Sequence, residues 1–316
     1  MFGIHFDQIK SVVLFIAALV GFGTASVSYA YTAESCINFI KAQDYSRAVT
    51  EAKALLKRKN LTDMDERHVQ ICLGRAHYAT GRFQDALPAL LRAEALSRST
   101  GDLALAYNLL GATYQGMGEL DRAELYTLRA IKAFKELDNK VMEAMNLNNL
   151  GMIVQVRGDL DRAFELFQDS LALAPDDALK PTKLNNIALI HIKRKEFAEA
   201  AKLLREALDL SRHQGDGHKS ALIQINLGKT LRNQGDLAGA EQELTAGLNA
   251  VQLIGDRGLE AVAFEALASL EIARKDFVAT KSWIRKAEQT YRGTGNTAKV
   301  AEMRKVLLVL EKEEEK

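Results

Sequence analysis

The tripeptide Gly228-Lys229-Thr230 ends as a phosphate-binding loop ends. Such a loop also needs a glycine five residues before Gly228, so that its backbone amides can cradle phosphate, and that position holds Ile223. Gly293-Thr294-Gly295, with Ala298 after it, imitates a dinucleotide fingerprint, but it lies between two helical stretches and reads as a loop. His213 and His218 flank the turn Gln214-Gly215-Asp216-Gly217, and two imidazoles with no third ligand nearby make a poor zinc cage. Glu313 and Glu314 are ordinary helix-surface charge. No H-E-x-x-H, C-x-x-C, G-x-S-x-G or EF-hand pattern occurs. The residues therefore point to no catalytic group, metal or cofactor.

The two cysteines, Cys36 and Cys72, are the remaining reactive pair. In an exported protein they can form a disulfide; as small apolar side chains they can equally be buried free thiols. The sequence leaves both readings open, because the Cα separation that a bridge requires is not written in it.

The elements that position these residues are helices. Three prolines in 316 residues, with 47% hydrophobic residues, fit a large helical core and not proline-rich turns. Forty-two Lys and Arg offset forty-one Asp and Glu, so no basic surplus offers itself to nucleic acid. Residues 11–30 carry no charge, Val12 to Val20 is continuously apolar, Lys10 precedes the run, and Ser28-Tyr29-Ala30 places small residues at a cleavage site. Residues 1–30 are thus expected to be a secretory signal peptide, leaving a periplasmic or secreted protein. The alternative is an uncut N-terminal membrane anchor, the chain's one route to a membrane.

Beyond residue 30 the sequence repeats. Leu110-Gly111-Ala112-Thr113-Tyr114, then Gly118-Glu119-Leu120-Asp121-Arg122-Ala123, returns as Leu150-Gly151 with Gly158-Asp159-Leu160-Asp161-Arg162-Ala163. It returns again as Leu227-Gly228 with Gly235-Asp236-Leu237, and as Leu73-Gly74 with Gly81-Arg82-Phe83. Seven copies place an aromatic residue or leucine after the turn, at positions 45, 83, 120, 160, 197, 237 and 277. Tyr107, Leu110, Gly111 and Tyr114 form one helical stripe, and Leu120, Ala123, Ala130 and Ile131 a second. His77 and His191 hold the register of Tyr114 and read as packing residues. Each copy is a helical hairpin too small to stand alone.

This pattern resembles the tetratricopeptide repeat family across nearly all of residues 31–292. Leu147, Leu150, Gly151, Val154, Ala163, Phe167 and Pro175 meet the family pattern in the fourth copy. The copies run longer than the family's usual ~34 residues, which is similar to kinesin light chains and to bacterial peptide-sensing regulators. The resemblance implies an all-α, right-handed superhelical solenoid of about seven hairpins. Residues 293–316 then supply a C-terminal capping helix, with Asn296 as its cap, and a charged tail.

The resemblance also implies where function sits. The face of each first helix opposite the packing stripe lines a concave groove in that family. Here that face carries Arg75, Asn108, Gln115, Asn148, Asn149, Gln155, Asn185, Asn186, Lys193, Asn226, Lys229 and Arg232. An Asn amide both donates and accepts, so a row of them can pair with a peptide main chain whatever its side chains. The cations suit acidic side chains or a terminal carboxylate. The competing reading is that the asparagines bond to one another and set superhelical pitch. The expected function is a non-catalytic scaffold or assembly factor, outside the cytoplasm, that captures a peptide segment of another protein. The alternative is a self-assembling structural protein anchored at the membrane, a homo-oligomer whose groove another copy's terminus fills.

Overall fold

Fifteen α-helices make up the computed structural model, which describes residues 33–314; no strand occurs among those residues. They alternate as the two arms of successive hairpins. The first four hairpins are α1 (Glu34–Lys41) with α2 (Tyr45–Leu55), α3 (Asp63–Ala79) with α4 (Phe83–Leu96), α5 (Thr100–Met117) with α6 (Leu120–Glu136), and α7 (Lys140–Arg157) with α8 (Leu160–Leu173). Then come α9 (Lys180–Lys193) with α10 (Phe197–His213), α11 (Gly217–Gln234) with α12 (Leu237–Ile254), and α13 (Arg257–Arg274) with α14 (Phe277–Gly293). The unpaired α15 (Thr297–Glu314) closes the series. The expected signal peptide or anchor at residues 1–30 lies outside the described residues. No helix among the described residues is long and apolar enough to cross a membrane.

The turn inside each hairpin explains the recurrent Gly-Asp. Gly158 has φ 92° and Gly235 has φ 89°, a left-handed turn that ends the first helix and that a side chain disfavours. The aspartate that follows opens the second helix. Asp159 accepts the amide of Arg162 at 3.1 Å, and Asp236 accepts that of Gly239 at 2.9 Å. Lys195 and Lys275 hold the same left-handed turn, both at φ 62°, without being glycine. For an L-residue with a Cβ that costs about 1–2 kcal/mol each.

Packing within a hairpin rests on the second recurrent glycine. A Cβ on Gly151 would lie 2.6 Å from the ring of Phe167, which is fully buried. A Cβ on Gly228 would lie 2.6 Å from Leu244 and 3.1 Å from the carbonyl oxygen of Ala240. The phosphate-loop mimic is therefore a helix-packing glycine inside α11.

The chain divides into two compact units, residues 1–175 and 176–316. In the first, Cys36, Ile40, Ala48, Ala52, Leu55, Val69 and Cys72 form the core of the opening hairpins. Leu90, Leu109, Leu110, Tyr114 and Ile153 continue the core. Cys36 on α1 and Cys72 on α3 are joined by a disulfide, with Cα atoms 6.3 Å apart. The bridge ties a short first hairpin, with helices of 8 and 11 residues, to a longer neighbour.

The second unit begins in the non-helical stretch between α8 and α9. There Asp177 is pinned by Lys183, whose ammonium donates at 2.8 Å and whose side chain is fully buried. Burial pulls the Lys183 pKa down, and Asp177 opposes that fall. At the far end, Asn296 accepts the Lys299 amide at 3.2 Å and caps α15, as its position implies. Val300, Met303 and Leu310 bury the inner side of α15, while Leu308 and Val309 stay exposed.

Candidate functional site

Within each unit, consecutive first helices touch. In the first unit these helices are α1, α3, α5 and α7, and in the second α9, α11 and α13. The register that places a small residue against the second helix turns the residues three and two positions before it toward the neighbouring first helix. That register holds Asn108 on α5, Asn148 and Asn149 on α7, Asn185 and Asn186 on α9, and Asn226 on α11.

All six asparagines are buried, each 1–8% exposed. They form walls between helices and not open rows. The partner of one pair is seen directly: Asn226 Nδ2 donates to Asn185 Oδ1 at 3.0 Å, joining α11 to α9. This is the mutual bonding that the competing reading of the sequence holds out. Asn148 Nδ2 lies 3.7 Å from the sulfur of Met152, one turn on. Asn108 differs from all of these. Both polar atoms of its amide are buried and find no hydrogen-bond partner among the described residues. A side-chain amide in that state costs about 1–3 kcal/mol and calls for a ligand or a water.

The other predicted residues ring these walls. Gln115 and Gln155 sit near the ends of α5 and α7, partly exposed. Arg75 on α3 is partly buried; burial lowers its pKa, and the nearby Tyr45 phenol opposes that. In the second unit Lys193 is exposed at the end of α9, while Lys229 and Arg232 are partly buried on α11. Burial pulls the Lys229 pKa down to about 8, with Glu265 opposing and Arg232 and Lys299 reinforcing the fall.

One cluster escapes the sequence reading. Glu265 on α13 accepts the Tyr291 hydroxyl on one oxygen and the Lys299 ammonium on the other, the latter at 3.1 Å. Its signal was available, because Glu265 stands three residues before Ala268, the register that Asn108, Asn148 and Asn185 occupy in their own copies. The histidines fall into structural roles. His77 is buried, His191 pairs with Glu196 at 2.5 Å, and His218 pairs with Asp256 at 2.7 Å. No group of three His, Cys, Asp or Glu among the described residues can hold a metal ion.

Comparison with known proteins agrees with this architecture. One family model described as tetratricopeptide repeat matches residues 102–176, 141–213 and 179–252, and a second so described matches 37–102. Together they run from 37 to 252, well over half of the chain. A curated relative, the mitochondrial tetratricopeptide repeat protein 19 homolog of Drosophila melanogaster, is 29% identical over 112 residues, covering 33% of this chain and 30% of the relative. The match thus spans less than a third of that protein's length. Among solved structures, the apo quorum sensor NprR from B. thuringiensis aligns with TM-score 0.65 at 14% identity, covering 89% of this chain and 86% of that one. The Cut9–Hcn1 hetero-tetramer of the APC/C aligns with TM-score 0.69 at 16% identity, over 96% of this chain and 53% of that one. At such identities the likeness is one of fold.

Proposed function

The chain belongs to the tetratricopeptide repeat family, whose fold is typically a non-enzymatic scaffold for protein interaction, and from that premise we propose that it captures a segment of another protein along its first-helix faces. The observation that carries this reading is Asn108. Its donor and acceptor are both buried and unpaired in the closed seam, and a main-chain amide group supplies the matching acceptor and donor once the seam opens to admit it. Gln115, two helical turns further along α5, extends amide character toward the rim. Arg75 and Asn149 stand on the neighbouring first helices α3 and α7.

In this proposal the protein works outside the cytoplasm, delivered by residues 1–30 and either released or left tethered. The Cys36–Cys72 bridge supports an oxidising compartment. It acts without chemistry of its own, as a holder or assembly factor for its partner.

The test is site-specific photocrosslinking in the native cell, with the photoreactive residue at Gln115 or Gln155 and, as a control, at Lys202 on the second helix α10. A discrete partner polypeptide trapped from the first two positions and not from the control is the expected result. If the first two positions trap only further copies of this chain, the protein is a self-assembling one, and if they trap nothing the reading fails.

A further inference from the structure

In the first unit, one apolar patch interrupts the polar surface of the second helices. The sixth and ninth positions of α4 are Pro88 and Leu91, and the same two positions of α6 are Leu125 and Leu128. All four are exposed, the leucines by 38–47%. The two helices are tied as neighbours. The Tyr126 hydroxyl of α6 donates to Glu94 of α4 at 3.3 Å, and Arg129 of α6 pairs with the same carboxylate at 3.8 Å.

Every other second helix is polar at both positions. Glu165 and Gln168 hold them on α8, and Lys202 and Arg205 on α10, while α2, α12 and α14 carry only Ser, Thr, Gln, Lys or Arg there. Hairpin packing does not ask for the leucines, because the buried face of α6 is built from Ala123, Thr127, Ala130 and Phe134. A lone exposed leucine needs no explanation, but apolar residues grouped on a polar surface mark a contact.

The charges beside the patch say what covers it. Along α6 the outward residues Asp121, Leu125, Leu128 and Lys132 are spaced four, three and four apart, the seam spacing of two packed helices. Asp121 and Lys132 stand equally far from the centre of the leucine pair, on opposite sides of it. Against an antiparallel second α6, Asp121 meets Lys132 and Leu125 meets Leu128, each twice over. A parallel copy would set Asp121 on Asp121 and Lys132 on Lys132. Asp121 keeps a fully exposed side chain although Arg157 of α7 donates to it, and Lys132 is exposed with no acidic partner among the described residues.

The apolar pattern selects the same arrangement. A two-fold axis lying across the helices sets α4 on α4 as well as α6 on α6, so Pro88 and Leu91 cover their own counterparts. An axis along the helices would leave Leu91 against the polar α8.

We propose that the chain forms a two-fold symmetric dimer through α4 and α6, with the two α6 helices antiparallel at its centre. The occupant of the patch is therefore a second copy of this chain. Two helices from each copy make a small interface, so association belongs in the micromolar range. The dimer leaves the first-helix faces uncovered, and it and the photocrosslinking result stand or fall separately.

The test is sedimentation equilibrium of the full chain over a concentration series, in density-matched detergent so that the apolar residues 11–30 do not drive association. A monomer–dimer equilibrium is expected. Leu125→Glu with Leu128→Glu should weaken it at least about tenfold, since four carboxylates would meet across the axis. Lys202→Glu with Arg205→Glu, at the same positions of α10, should leave it unchanged. Asp121→Lys and Lys132→Glu should each weaken the dimer, and an equimolar mixture of the two variants should restore it. Positions 121 and 132 lie about 16 Å apart along one helix, so only a second copy can supply that restoration. Circular dichroism shows whether each variant folds, and the charge pair decides if the leucine variant does not. The proposal is overturned if the parent chain stays monomeric throughout the series. It is equally overturned if the folded leucine variant dimerises as well as the parent, or if the mixture does no better than its components.

Discussion

The side chain of Asn226 donates to that of Asn185 at 3.0 Å across the seam between α11 and α9, both residues less than 9% exposed. This single bond fastens the first helices of two consecutive hairpins at their centres. Removing one member leaves the other buried and unsatisfied, so Asn226→Ala should lower unfolding free energy by about 1–3 kcal/mol. The double variant with Asn185→Ala should cost less than the two single changes summed. A double-mutant cycle by urea denaturation measures the coupling, and strict additivity would show the bond to be idle.

The pH response of stability singles out Lys229. Its pKa in the folded protein is about 8, below the ordinary lysine value of 10.5, because burial outweighs the attraction of Glu265 while Arg232 and Lys299 repel it. Between those two values the unfolded chain holds the proton and the folded one releases it, so stability rises with pH across that window. Below pH 8 the charged form is a standing cost on the order of 3 kcal/mol. Lys229→Met should therefore stabilise the protein at pH 7 by up to roughly that amount, with the advantage fading as the pH approaches 10. Chemical denaturation at several pH values reads it directly, and a pH-independent difference between variant and parent would contradict the burial argument.

Gly151 tests the close approach within a hairpin. Alanine gains about 1 kcal/mol over glycine in a helix interior, so an open site would be stabilised by Gly151→Ala. Here the new Cβ would lie 2.6 Å from the Phe167 ring, and that ring is locked in the core. Overpacking of this kind costs about 1–3 kcal/mol, so the overlap wins and the variant should be less stable than the parent. Phe167→Leu in the same background should recover part of the loss, as judged by thermal unfolding.

The Cys36–Cys72 bridge closes a loop with a sequence separation of 36 residues. Constraining an unfolded loop of that size is worth about 4 kcal/mol in the chain-entropy account. Reduction, or Cys36→Ser with Cys72→Ser, should therefore loosen α1 and α2 before the rest of the chain. Amide exchange resolved by mass spectrometry would show the first hairpin losing protection while α5 to α8 keep theirs. Equal loss of protection across residues 33–175 would mean that the bridge staples no separate element.

Much of the fold was legible because it is periodic. The recurrence of Leu110-Gly111 and Gly118-Glu119-Leu120 at intervals of 37 to 40 residues marks the hairpins, their turns and the small residues on which the arms meet. Each of these is a local property, set by backbone conformation and by side chains a few positions apart. The asparagine register was equally visible, since helical spacing decides which face a residue occupies. Only the folded chain shows what that face meets. Asn226 finds Asn185 forty-one positions away, Asn108 finds no one, and Glu265 is claimed by Tyr291 and Lys299 so that Lys229 is left without a counter-charge. The cysteine pair tells the same lesson, because its joining turns on a distance between helices that no spacing records. Periodicity fixes faces, but pairing across a seam depends on how neighbouring repeats are rotated and shifted against each other. Those small displacements come from how the side chains of adjacent helices pack.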